Sequence, residues 1–269
     1  MIPKVIMQTG KHKSDVNKHS VEWQKVNPMY EYKFFDDVDC RKFIREYFEN
    51  DVVEAFDTLL PGAFKADLFR YCYLYIHGGV YIDLDCAPIL PLAEILLDGY
   101  DFISVSERRQ IPGVYQAFIA CVPNVKFLRI AINKIVENCK KNYYPKIQGR
   151  NDWESILSIT GPVLLCKSMN NVHESGAHEI DNVKVFLYIL GDSHILDMYD
   201  KKLIVSKVDD FQSSDSYQNM FLNRKIYKQP KEPKEATCGI NIFNIVITCI
   251  ILVIICSITL YHSQRKSVK

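Results

Sequence analysis

Apolar residues along the chain fall into two rhythms. Short blocks rich in Ile, Val, Phe and Tyr occur at residues 2–7, 30–35, 80–85, 100–106 and 114–121, and read as strands. Between them, residues 16–26, 39–48, 52–60 and 125–141 space their apolar side chains three and four apart, as a helix packed on one face requires. Asn27-Pro28, Asp36-Asp37 and Pro61-Gly62 punctuate these segments where the rhythm changes. A further helix is expected from Phe64 to the double glycine at Gly78 and Gly79, where the first glycine suits a left-handed cap and the second a close backbone approach. Alternation of this kind predicts an α/β fold with a mainly parallel, Rossmann-like sheet flanked by helices.

The last part of the chain has a different texture. Residues 242–261 carry no charge over a length that matches the hydrocarbon core of a bilayer, which predicts a single-pass transmembrane helix. Residues 227–241, with two prolines and several lysines, read as a polar linker, and 262–269 as a short basic tail. Residues 1–226 then form one catalytic-sized domain. Pro3 and Lys4 interrupt the first apolar residues, so no leader is expected, and the predicted topology is a C-terminal membrane anchor with the domain on the cytosolic side, an ER- or Golgi-like internal membrane and the surface membrane both being open. Basic residues flank the span on both sides and do not choose an orientation.

Composition narrows the class without naming it. The 269 residues have a formal net charge of +1, so nothing points to a nucleic-acid partner. The nine cysteines include no C-x-x-C pair, and no Asn-x-Ser/Thr acceptor occurs, a pattern of reduced, buried thiols rather than a disulfide framework.

The chemistry is concentrated in "FKADLFRYCYLYIHGGVYIDLDC", residues 64–86. If the strand continues through Asp85, Asp83 and Asp85 project from the same face. Two neighbouring carboxylates repel, and a hard divalent cation, Mn²⁺ or Mg²⁺, relieves the conflict with water or substrate phosphate completing an all-oxygen shell. Asp67 and Arg70, three apart on the preceding helix, project together from surroundings too apolar for an exposed ion pair. A planar guanidinium suits a phosphate, and a carboxylate suits a ribose hydroxyl. The histidines His77, His173, His178 and His194 lack metal-ligand spacing.

The segments "IPKVIMQTGK", "NPMYEYKFFDD", "ADLFRYCYLYIHGGVYIDLD", "QAFIACVPNVKFL" and "TGP" follow one another in the order and approximate spacing of glycosyltransferase family 32. The chain resembles this family, the sugar-binding-region proteins with a D-x-D motif, over about residues 2–165 and most densely over 63–88. The resemblance implies a GT-A fold and retaining transfer of a hexose, with mannose favoured. The implied donor is a nucleotide sugar, GDP-mannose or a UDP-hexose, the cofactor Mn²⁺ or Mg²⁺, and the acceptor a glycan or lipid. By motif position it implies Asp83 and Asp85 as metal and diphosphate ligands, Asp67 and Arg70 as donor contacts, Arg70 also stabilising the leaving diphosphate, and Gln8 and Thr9 beside the base. Met7 and Gly10 depart from the family's opening, which has a histidine and an aromatic at those places. Gln116 stands where an asparagine is usual, and Ser216 and Tyr217 stand nearest to a C-terminal Ser-Trp that closes over the donor. No enzyme nucleophile is evident, which leaves front-face attack and a covalent intermediate both open.

Two other readings compete. A haloacid-dehalogenase-type phosphatase would use Asp83 as nucleophile and Asp85 as acid/base, with Gly191, Asp192 and Asp197 as a second acidic motif, but it gives Asp67 and Arg70 no role. A catalytically decayed sugar-nucleotide-binding membrane protein would keep the fold and lose turnover.

Overall fold

The structure is a computed structural model, and it describes residues 1–107, 113–145, 153–174, 182–189, 194–196, 201–206 and 217–229. Two compact units divide the chain, Met1–Lys228 and Gln229–Lys269, and every element below belongs to the first. The run at 242–261 lies outside the described residues, among which no helix is long and apolar enough to cross a membrane.

The first half follows the expected alternation. It comprises β1 (Val5–Thr9), α1 (Lys18–Val26), β2 (Glu31–Phe35), α2 (Asp37–Tyr47), α3 (Asn50–Thr58), α4 (Gly62–His77) and β3 (Gly79–Ile82). Local chemistry sets the bounds. The Asn17 side chain caps α1 by accepting from the His19 and Ser20 amides, and Asp36 caps α2 in the same way through Val38 and Asp39. At the other end of α4, Gly78 adopts φ 63°, and a Cβ there would lie 2.6 Å from the Cys121 carbonyl oxygen. Gly79 follows at φ 101°, pressed against the Val5 carbonyl. Both glycines therefore do the work their position predicts, one ending the helix and both admitting neighbouring backbone.

The remaining elements are β4 (Ala87–Pro88), α5 (Leu92–Ile95), β5 (Phe102–Glu107), β6 (Val114–Cys121), α6 (Lys126–Lys140), α7 (Trp153–Leu157) and α8 (Pro162–Glu174). They end with β7 (Val183–Ile189), β8 (His194–Leu196), β9 (Lys202–Val205) and α9 (Tyr217–Leu222). The sheet runs β2-β1-β3-β6-β5-β7-β8-β9-β4. From β2 at the edge to β7 the six strands are co-directional except β6, which lies antiparallel between β3 and β5. The mixed α/β class is as expected; the reversal at β6 is not. Its cause is the short connection from Glu107 to Val114, which turns the chain back but is too brief for the crossover that a parallel pair needs. The β7-β8 and β8-β9 pairs, which follow one another closely in sequence, are antiparallel for the same reason, and β4 closes the edge antiparallel to β9 from far earlier in the chain.

Core residues alternate between the two faces of the sheet. Met7, Tyr81, Ile119 and Cys121 join α2, α3, α4, α6 and α8 on one side, while Ile6, Val80, Ile82 and Phe118 join Trp23 of α1 and Leu92 and Ile95 of α5 on the other. Strand β3 is buried along its whole length, which explains its unbroken apolar sequence. Packing continues to the end of the unit: Tyr227 pairs with Leu59 in an isolated bridge and is buried, so the domain reaches past the point where composition turns linker-like. The described cysteines are free thiols, and five of the six are buried.

Candidate active site

Two elements bring the charged residues together. Helix α4 carries Asp67 and Arg70 on the side facing β3 and β6, and β3 delivers the chain to Asp83 at its carboxyl end, where open α/β sheets bind ligands. The strand stops earlier than the spacing predicts. Residues 79–82 are extended and the Asp83 amide still donates to Ala117 O at 3.0 Å, but residues 83–86 form a turn closed by Cys86 N donating to Asp83 O at 3.2 Å. Asp83 and Asp85 are thus turn residues rather than alternate positions of a strand. The reason is local: aspartates are poor strand formers and favour turns. Both carboxylates nevertheless border the same cavity, of about 180 Å³, together with Asp67, Arg70, Gln116, Thr160 and Tyr217.

Arg70 lies beneath that cavity, with its side chain only 4% exposed. Nε donates to Ala66 O at 3.1 Å and one terminal nitrogen to Gln116 O at 2.6 Å. The other terminal nitrogen lies 3.3 Å from Asp67 Oδ1 and 3.6 Å from Asp83 Oδ1, and the guanidinium stacks 4.2 Å from the Tyr81 ring centre. Burial opposes the charge, but Tyr81, Asp83 and Asp67 around it hold the guanidinium firmly protonated. Its donors are therefore directed to protein acceptors, and it underpins the two carboxylates rather than pointing a free fork into the cavity.

Asp67 is buried, and this pushes its carboxyl up to about 6; Arg70 and the Thr160 hydroxyl, which donates to Asp67 Oδ2 at 2.7 Å, pull the other way. Tyr81 donates its hydroxyl to Asp83 Oδ1. Tyr71 bonds Gln116 Oε1 at 2.7 Å and lies 3.0 Å from Thr160 O, and burial raises both phenols well above their usual range, so they act as neutral donors. Asp83 keeps a side chain one-third exposed, with Oδ1 engaged by Tyr81 and Arg70.

The other predicted residues are spread around this centre. Gln8 is fully buried beneath the turn, its amide nitrogen donating to Asp83 O at 3.2 Å and its oxygen accepting from Tyr32 at 2.9 Å. Thr9 turns toward β2 and α2, donating to Phe35 O at 2.9 Å and touching Cys40 Sγ at 3.3 Å. Neither borders the cavity. Tyr217 does, with its ring centre 5.9 Å from that of Phe64. Ser216, Gly191, Asp192 and Asp197 lie outside the described residues. Gly10 has no space for a larger side chain, since a Cβ would sit 2.9 Å from Asp15 and 3.0 Å from Phe34.

Sequence reasoning missed Tyr81 and the role of Thr160. Tyr81 was legible in principle, because it stands two residues before Asp83 and shares its side of the chain; Thr160 comes from 93 residues beyond Asp67 and has no local signal. A second and larger groove, about 750 Å³, lies between α6 and α8 and is bordered by Lys134, Lys141 and Lys167. None of the sequence-predicted residues reaches it.

As to a cation, the described residues contain no group of three or more His, Cys, Asp or Glu side chains able to hold one. The turn offers two carboxylates beside a solvent-open cavity, a donor set that fits a hard ion sharing its coordination with water and phosphate oxygens.

Comparison with known proteins bears on the same residues. Residues 13–103 match the family described as glycosyltransferase sugar-binding region containing DXD motif. The chain is 26% identical over 174 residues to an uncharacterized glycosyltransferase of Acanthamoeba polyphaga mimivirus, covering 63% of this chain and 65% of that protein. It is 26% identical to the initiation-specific alpha-1,6-mannosyltransferase of Candida albicans, over 64% of this chain and 54% of that one. With inositol phosphoceramide mannosyltransferase 2 of Schizosaccharomyces pombe the identity is 29%, over 61% and 45%. The chain thus spans about half to two-thirds of the length of these relatives. Among solved structures, PaToxG glycosyltransferase aligns with 13% identity and a TM-score of 0.44, covering 67% of this chain and 75% of that one.

Proposed function

We propose that this family 32-like glycosyltransferase is a divalent-metal-dependent, retaining hexosyltransferase of the GT-A type, taking a nucleotide sugar as donor and a glycan or lipid as acceptor. The observation that carries the reading is the pair Asp83 and Asp85 on one turn, bordering a cavity whose base is the buried Asp67–Arg70 pair. Asp83 and Asp85 would hold Mn²⁺ or Mg²⁺. When bound, such an ion neutralises charge developing on the departing diphosphate.

The protein's own groups supply the rest. Arg70 maintains positive potential under the carboxylates without titrating, and Tyr81 fixes the rotamer of Asp83 by donating to Oδ1. Ionised Asp67 accepts from a hydroxyl of the donor, while Thr160 keeps its other oxygen in place. Tyr217 and Phe64 wall the cavity with aromatic surface suited to a sugar ring. The names of the fungal relatives support mannose, and hence GDP-mannose, as the first donor to try. The uncharged run at 242–261 supports a membrane tether; carbonate extraction of the full chain, set against a chain ending at residue 228, tests it.

A screen of nucleotide sugars with Mn²⁺ or Mg²⁺, beside a generic phosphomonoester, tests the activity. The expected result is release of nucleotide diphosphate from one donor, abolished in Asp85→Ala with the fold intact. Phosphate release from the monoester without nucleotide release would establish the phosphatase reading instead, and binding without turnover the decayed one.

A further inference from the structure

The turn that bears the two carboxylates is held by side chains from a stretch of sequence about 60–75 residues earlier. Asp83 O accepts from the Gln8 amide nitrogen at 3.2 Å, Leu84 O from the Asn17 amide nitrogen at 2.8 Å, and Cys86 O from the Trp23 indole nitrogen at 2.9 Å. Three of the four carbonyls between Asp83 and Cys86 thus receive a side-chain donor, one from β1, one from the residue that caps α1 and one from α1 itself.

Each donor is itself fixed from behind. Gln8 is fully buried and its oxygen accepts from the Tyr32 hydroxyl. Asn17 is the cap of α1, so its oxygen is committed to the His19 amide at 2.9 Å and the Ser20 amide at 3.1 Å while its nitrogen reaches Leu84. The Trp23 ring is fully buried in the core cluster that includes Cys86 and Leu92. Asn27 continues the connection, donating to Trp23 O at 3.0 Å and accepting from Leu92 N at 2.7 Å.

We propose that Gln8, Asn17 and Trp23 are positioning residues that clamp the Asp83–Cys86 turn and thereby set the directions of the two carboxylates. A turn outside the ladder has peptide planes free to rotate, and two like charges two residues apart drive them to splay. Pinning the carbonyls of Asp83, Leu84 and Cys86 blocks that rotation on both sides of Asp85. Water can serve the carbonyls of the partly exposed Asp83 and Leu84 but does not reach that of the buried Cys86, and the convergence of three protein donors, two of them fully buried, on four residues fixes the peptide planes on both sides of Asp85. Gln8 in this arrangement acts through Asp83 rather than beside a nucleotide base. What the clamped turn then binds rests on the glycosyltransferase reading; the clamp itself does not.

Two substitutions in the full-length protein separate positioning from folding. Asn17→Ser keeps a competent helix cap but loses the reach to Leu84, and Trp23→Phe keeps an aromatic ring but loses the donor. Amide hydrogen exchange of residues 84–86 reads the turn, and titration with Mn²⁺ alone, followed by electron paramagnetic resonance of the free ion, reads the carboxylates. Loss of one net hydrogen bond predicts about fivefold faster exchange at the turn and about fivefold weaker Mn²⁺ binding in each variant, with exchange in α4 and β6 unchanged. Turn exchange that stays at the parent rate, or rises equally throughout the domain, overturns the clamp, as does Mn²⁺ affinity identical in parent and variants. A parent that binds no Mn²⁺ while the turn responds as predicted leaves the clamp standing and removes the metal-dependent function.

Discussion

At the scale of single residues, the site depends on how buried charge is balanced. Asp67 has its carboxyl raised to about 6, which means the folded protein favours the protonated form more than the unfolded chain does. The resulting stabilisation is complete below the ordinary aspartate range, near pH 4, and is lost as pH rises through about 6. Compared with Asp67→Asn, which does not titrate, the parent should therefore gain at most about 3 kcal/mol between pH 7 and pH 4, measured by urea unfolding across that window. Donor binding should move oppositely, weakening below about pH 6 as Asp67 loses the charge that accepts a hydroxyl. Tyr81 offers a cleaner probe of Asp83. Tyr81→Phe preserves the ring under Arg70 and removes the hydroxyl donated to Asp83. Stability should fall by about 1 kcal/mol, while donor turnover under subsaturating conditions falls roughly tenfold because the carboxylate loses its orientation. Turnover equal to the parent's would confine the Tyr81 hydroxyl to stability.

At the scale of elements, the turn between α4 and β3 shows what sequence discloses and what it withholds. The double glycine announces a helix end and a close approach, and Gly78 shows both, with positive φ and the β6 backbone against its missing side chain. Gly78→Ala should cost more than about 3 kcal/mol, since a Cβ 2.6 Å from a backbone oxygen and a strained φ cannot both be relieved; guanidinium unfolding measures it. The D-x-D motif was legible as a pair of neighbouring carboxylates because that needs only the sequence. Its turn geometry was not read, although aspartate itself favours turns, because the apolar run before Asp83 gives no sign that the pairing with β6 ends at Ile82 and Phe118. Arg70 illustrates the same limit. Spacing on α4 places it beside Asp67, but only the antiparallel β6 brings in the Gln116 carbonyl that consumes one of its donors. Periodicity reports the face of a helix and says nothing of which distant carbonyl meets it.

At the scale of the whole unit, both ends of the chain segment Met1–Lys228 converge on the cavity. The beginning supports it from below through Gln8, Asn17 and Trp23, and the end brings Tyr217 to its wall. That end is anchored several residues on, where Leu60 N donates to Ile226 O at 2.9 Å, Lys228 N to Thr58 O at 2.7 Å, and the Tyr227 hydroxyl to Tyr143 O at 3.0 Å. Ile226 and Tyr227 are both buried against the helical face of the core. The anchor and the cavity wall are therefore one mechanical piece, tied through the short helix α9. Tyr227→Ala should cost about 3 kcal/mol by the cavity it opens and, beyond that, should weaken donor binding by releasing Tyr217. Tyr227→Phe, which keeps the packing and loses the bond to Tyr143, should cost about 1 kcal/mol and leave donor affinity close to the parent value. Calorimetric titration of the donor nucleotide diphosphate into both variants decides the matter: equal affinities in Tyr227→Ala and parent would separate the anchor from the site and confine Tyr227 to stability.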